Sequence, residues 1–188
     1  MTVKIREQLL IRRIQRNDGE AFGEIYDQYL KKIYRFVFFR VNTKETAEDI
    51  VQDVFTSLLN YLKNKETEIK SLQAFIYQIA RNKIADHYQK TNREALAEWP
   101  ENESEITENK EEIDLDENMD NERALEKITE AVKEIKNQVW QEIIIMHYIE
   151  DLSVSEIAEI LEKKTGTVRV ILHRALQDLK KQINKINK

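Results

Sequence analysis

Thr165, Thr167, Arg169, Val170, His173, Arg174 and Gln177 recur at spacings that turn most of them to one side of a helix. Basic forks and hydroxyl groups on a single face are the mix that reads base edges in the major groove, so the chemistry on offer is non-covalent recognition of DNA. The elements that must position them lie in Leu152 to Leu179, LSVSEIAEILEKKTGTVRVILHRALQDL. Val154, Ile157, Ala158 and Leu161 form a short apolar set, then Val168, Ile171, Leu172, Ala175 and Leu179 a longer one. This predicts helix, turn, helix, with the turn at Glu162 to Thr165. Ser153 followed by Glu156 is a capping box that fixes the start of the first helix. Spacing alone leaves a DNA reader and a plain helical hairpin both open.

Two other stretches carry polar groups in patterns. Thr43 precedes a predicted helix, Lys44 to Leu62, with Ala47, Ile50, Val51, Val54, Phe55, Leu58, Leu59 and Leu62 inward and Glu45, Glu48, Asp49, Gln52 and Asp53 opposite. Those acids suit the helix dipole, or a docking surface for a basic partner. As a metal site they are poor, since they share one helix with no histidine at ligand spacing. Ser71 to Lys90 is a further predicted helix, with Leu72, Phe75, Ile76, Ile79, Ala80 and Ile84 inward. Tyr77, Gln78, Arg81, Asn82, Lys83, Asp86, His87 and Tyr88 are left more accessible. Aromatics among Arg, Lys and Asn suit single-stranded DNA, although an ordinary amphipathic helix is the simpler reading.

The rest of the chain supplies the scaffold. Lys4 to Arg16 places Ile5, Leu9, Leu10 and Ile14 at helical spacing and ends at Asp18-Gly19; Glu20 to Val41 follows with a broad apolar face that includes Phe22, Tyr26, Tyr29 and Tyr34. With 3 Gly and 1 Pro in 188 residues, the composition predicts a nearly all-helical protein. No cysteine is present, which excludes disulfides and thiolate metal sites. His87, His147 and His173 fall in different helices, outside any metal motif, and no catalytic constellation is visible. No signal peptide or membrane span is expected, and a cytoplasmic location follows.

The net charge of −5 is unevenly spread. Basic against acidic residues number 16 to 12 over 1–90, 4 to 15 over 91–130 and 10 to 8 over 131–188. Two mildly basic ends joined by an acidic segment predict two modules and a linker. The linker, Thr91 to Asn121, holds the sole proline, Pro100, and few apolar residues, so disorder is expected. Trp99, Ile106, Ile113 and Leu115 are too widely spaced to form a core there.

AEDIVQDVFTSLL from Ala47, AFIYQIARNKIADHY from Ala74 and LSVSEIAEILEKKTGTVRVILHRAL from Leu152, in this order, resemble the successive signatures of bacterial RNA polymerase sigma factors of the sigma-70 family, extracytoplasmic-function type. The resemblance implies an all-α fold: a region 2-like helical bundle over 1–90, an acidic linker over 91–121 and a region 4-like helix-turn-helix domain over 122–188. It implies a non-enzymatic initiation factor that needs no cofactor and acts on core RNA polymerase and promoter DNA. An anti-sigma or other inhibitory protein is an implied partner; no small-molecule substrate and no membrane insertion are. Glu48, Asp49, Gln52 and Asp53 become the implied polymerase contacts. Lys63, Lys65, Ser71, Phe75, Arg81, Asn82, Asp86 and Tyr88 become implied contacts to the minus-ten element, whose bases are flipped and unpaired. Arg169, Val170, His173 and Arg174 are implied to read the minus-thirty-five element, with Lys163, Lys164, Thr165 and Thr167 near phosphates. The linker is implied to thread the polymerase cleft. A stand-alone helix-turn-helix regulator is the competing function, and a protein-interaction adaptor a third.

The chain departs from the family pattern in several places. Glu162 and Lys164 stand in a turn that usually holds a glycine and a small capping residue, and Val170 and Ile171 stand where a small polar residue and a basic one are common. The helix Gln138 to Ile149 lacks an opening Leu-Pro, a tryptophan common near Phe75 is replaced, and only Lys90 and Arg93 follow the fourth helix as basic residues. Promoter preference therefore does not transfer from relatives.

Overall fold

The computed structural model describes residues 3–41, 43–64, 69–90 and 130–186, and these contain helices and no strand. The predicted linker and Lys65 lie outside the described residues. The chain divides into two units.

The amino-terminal unit contains α1 (Val3–Ile14), α2 (Gly19–Phe38), α3 (Lys44–Leu62) and α4 (Leu72–Lys90). Helix α2 packs against the other three, and α3 also packs on α4. The turn into α2 is set by Asn17 in the left-handed region and by Asp18, whose carboxylate accepts from the amides of Glu20 and Ala21. Helix α3 starts where Thr43 accepts from the Thr46 amide at 3.2 Å. Ile25, Ile33 and Phe36 of α2, Val54 and Leu58 of α3 and Ile76 of α4 are fully buried, each such side chain contributing about 1.5–3 kcal/mol.

Several inward assignments fail. In α1, Ile5 and Leu9 are 49% and 44% exposed, while Glu7 is buried with Leu10, Ile11 and Ile14. Tyr26 is exposed, and Phe22, Tyr34, Leu59 and Ile79 are half-buried. Tyr77, expected to be accessible, is fully buried edge-on to Phe36, with centroids 5.2 Å apart. Helix α4 packs on both α2 and α3, so its buried arc is wide enough to take both Ile76 and Tyr77.

In the carboxy-terminal unit a helical turn at 130–133 precedes α5 (Gln138–Ile144), α6 (Val154–Leu161) and α7 (Thr165–Ile186). Asn137 opens α5, accepting from the amides of Val139 at 3.0 Å and Trp140 at 3.1 Å, so a capping side chain does the work of the missing Leu-Pro. The single helix expected over Gln138 to Ile149 is two: beyond Ile144 the chain widens into a π turn, Ile145–Ile149. Ile143, Ile144, Ile145 and Met146 are all buried, which marks this as the central helix of the unit, and α7 packs along it.

Candidate polymerase and nucleic-acid interfaces

Helix α3 is divided lengthwise. Ala47, Val54 and Leu58 are wholly in the core, whereas Glu45, Glu48, Asp49, Gln52 and Asp53 are all exposed on the other side. An ion pair from Lys44 Nζ to Glu48 Oε1 at 3.5 Å joins two largely exposed groups, so it neutralises little of the face. Among the described residues no three His, Asp or Glu side chains come together as a metal-ligand set. Beside these acids runs a groove of about 700 Å³ between α2 and α3, lined by Phe22, Tyr26, Tyr34, Phe55, Glu48 and Gln52. Tyr26 leans on Phe55 with centroids 4.6 Å apart. Phe55 is buried as expected, whereas Tyr26, Phe22 and Tyr34, expected on the apolar face of α2, are left exposed or half-buried along a groove next to a charged face.

The residues expected at the minus-ten element do not form one surface. Phe75, Asn82 and Asp86 fall at helical spacing on the outer stripe of α4, and Ile79 joins them. Asn82 and Asp86 are exposed, as is Lys63 in the turn after α3. Ser71 is occupied by the helix itself, since its Oγ accepts from the Ala74 amide at 3.2 Å. Arg81 and Tyr88 lie toward the flank of α4 and are half-buried, and the Tyr88 hydroxyl donates to the carbonyl of Arg40. Tyr61, absent from the expected set, is exposed and meets the Phe75 ring. An aromatic at the end of a helix whose apolar face is already filled was the signal for it.

The helix-turn-helix is built as its sequence predicts at the start and differently at the turn. Ser153 N donates to Glu156 Oε2 at 2.8 Å, and Glu156 N to Ser153 Oγ at 3.3 Å, closing the capping box. At the end of α6, Glu162 adopts φ 53°, and the amide of Lys163 reaches back to the Ala158 carbonyl at 2.9 Å. That is the Schellman geometry, with a glutamate in the place glycine usually fills. Upstream, His147 Nδ1 donates to the Leu152 carbonyl at 2.8 Å and fastens the π turn to the segment that enters α6.

Helix α7 buries Val168, Ile171, Leu172, Ala175 and Leu179. Arg169, Val170 and His173 recur at helical spacing on the opposite side, with Gln177 one turn further on; Arg169 is exposed and Val170, His173 and Arg174 are half-buried. Gln177 Nε2 donates to His173 Nε2 at 3.0 Å, which orients the imidazole and adds Gln177 to the face. Lys163, Lys164 and Thr165 are exposed where α7 begins, and Thr167 is half-buried on its flank.

These features define a helical DNA-binding protein whose two units carry different faces. Residues 25–94 match the family described as Sigma-70 region 2, and residues 141–179 match Sigma-70, region 4. The chain is 29% identical over 171 residues to the ECF RNA polymerase sigma factor BldN of Streptomyces coelicolor, a match covering 90% of this chain and 63% of BldN. It is 29% identical to the sigma factor YlaC of Bacillus subtilis (88% and 94% covered) and 27% identical to SigW of the same organism (92% and 94% covered). Among solved structures, CnrH in complex with the cytosolic domain of CnrY matches with a TM-score of 0.70 at 16% identity, covering 96% of this chain and 98% of that one. The sigma factor RpoE in complex with the anti-sigma factor NepR from Bartonella quintana matches at 0.62 and 21% identity, covering 88% and 98%. The chain belongs to the sigma-70 family, as a sigma factor of the extracytoplasmic-function type.

Proposed function

We propose that this sigma factor docks on core RNA polymerase through the exposed side of α3, with Glu48, Asp49, Gln52 and Asp53 meeting basic groups and the α2–α3 groove receiving an apolar side chain. The observation that carries the reading is the lengthwise division of α3, whose outer side holds five exposed polar residues next to an aromatic-floored groove. The outer stripe of α4, with Lys63, Phe75, Asn82 and Asp86, takes the unpaired minus-ten bases, with Arg81 on its flank, while Ser71 caps that helix and Tyr88 ties it to the Arg40 carbonyl. Arg169, Val170, His173 and Arg174 read the minus-thirty-five element, and Lys163, Lys164, Thr165 and Thr167 meet its phosphates. The role is regulatory rather than enzymatic, its place is the cytoplasm with the polymerase, and it calls for no cofactor. A protein that covers these faces would silence the factor; the RpoE structure, solved with an anti-sigma factor, supports such a partner here.

Co-purification with bacterial core RNA polymerase tests the reading. Wild type is expected to bind stoichiometrically and an Asp49→Arg, Asp53→Arg double variant to lose binding. No binding by wild type, together with tight duplex binding by the chain alone, would instead establish a free-standing DNA-binding regulator.

A further inference from the structure

Tyr61 lies in the last turn of α3 between the core residues Leu58 and Leu62, yet it is 41% exposed. Its ring meets Phe75, at the start of α4, with centroids 4.3 Å apart and planes inclined at 38°. At that separation Phe75 covers part of the Tyr61 ring and fixes its angle, and the remainder faces solvent. Phe75 is itself half-buried, so the pair forms a ledge anchored at one side in the bundle. Cations flank it in sequence: Lys63 follows Tyr61 by two residues, Lys70 precedes Phe75 by five, and both are exposed. A held aromatic surface among ammonium groups has the composition of a base-stacking site, where the ring replaces the lost neighbour base and the cations meet the backbone.

We propose that Tyr61 is a stacking platform for an unpaired base of the opened promoter, oriented by Phe75. The inference rests on the promoter-opening role proposed above and adds to it a residue on α3, the helix otherwise assigned to polymerase. Stacking needs the ring and not the hydroxyl, because every base offers a π face whatever its hydrogen-bonding edge.

The test uses the full chain assembled with core RNA polymerase and a fluorescein-labelled duplex carrying a mismatched bubble of randomised sequence, followed by anisotropy. Tyr61→Ala is expected to weaken binding of this probe about 10-fold, and Tyr61→Phe to match wild type. Tyr61→Leu keeps an apolar contact with Phe75 but has no π face, and is expected to fall with the alanine variant. Polymerase affinity, measured separately, should be the same for all four chains. The inference is overturned if Tyr61→Leu binds the bubble like wild type, if Tyr61→Phe is as weak as Tyr61→Ala, or if the alanine variant loses nothing. Each of those leaves the sigma function standing. Failure of wild type to join core polymerase would remove the functional reading and this inference with it.

Discussion

The hydroxyl of Tyr29 donates to the carboxylate of Glu7 at 2.5 Å, a buried bond that ties α1 to α2. Burial, reinforced by that carboxylate, pushes the phenol's pKa well above its ordinary value. A raised folded-state pKa contributes stability that is complete below the unfolded value, about 10, and is lost as pH rises through the folded one. Thermal melting from pH 8 upward, with both steps on the alkaline side of about pH 10 compared, is expected to fall more steeply for wild type than for Tyr29→Phe. At neutral pH the same substitution strands a buried carboxylate and should cost about 1–3 kcal/mol, part of which Glu7→Leu in the same chain recovers.

At the acid end the sign reverses. Arg13 reaches Asp18 at 2.8 Å and Glu24 at 2.9 Å, and Arg6 reaches Glu24 at 3.1 Å. The Arg13 hydrogen bond holds Asp18 below its usual pKa, and Arg6, then Arg13, do the same for Glu24. Depressed carboxylates stabilise above their unfolded values and lose that contribution as pH falls through the folded ones. Wild type should therefore lose more of its melting temperature than Arg13→Ala on acidification below about pH 4, and added salt should narrow the gap.

Arg169 and Lys164 should fail differently when removed. Arg169→Ala is expected to cost about 1–3 kcal/mol at one position of the minus-thirty-five element and to relax the base preference there. Lys164→Ala should weaken all sequences about equally and lower the slope of log affinity against log salt by about 1. Holoenzyme titrated on a panel of single-base promoter variants at two salt concentrations separates the two.

Glu162 stands in a backbone conformation that costs an L-residue roughly 1–2 kcal/mol and glycine nothing. Part of that gain is offset by the freedom glycine brings to the unfolded chain, so Glu162→Gly should stabilise the protein by about 0.5 kcal/mol. Calorimetry reads the shift, and a lower melting temperature would show that the glutamate side chain contributes more than its backbone costs.

What the sequence discloses is what depends on neighbours in the chain. The bounds of α3 and the Ser153–Glu156 box follow from interactions within one turn, and both are found as expected. Tyr77, Tyr26 and Tyr61 are misjudged or missed because their fate depends on how many helices flank the one that bears them. Helix α4 has two such neighbours and swallows Tyr77; α2 and α3 meet without closing over Tyr26, and a groove results. The candidate faces on α3 and α7 are legible for the same reason as the helices, whereas the α4 set divides because Arg81 and Tyr88 face a flank that periodicity alone does not distinguish from solvent.

A π turn holds one residue more per hydrogen-bonded loop than an α turn. The stretch Ile145–Ile149 therefore carries a surplus residue, with Glu150 N bonding to the Ile145 carbonyl five positions back. A homologue shorter by one residue there would run on as a plain α-helix with Asn137 still at its head. When such chains are aligned, the gap belongs inside a buried helix, where gaps are ordinarily penalised, and an alignment that pushes it out to the next loop would set the buried residues between the π turn and that loop one position off their true counterparts.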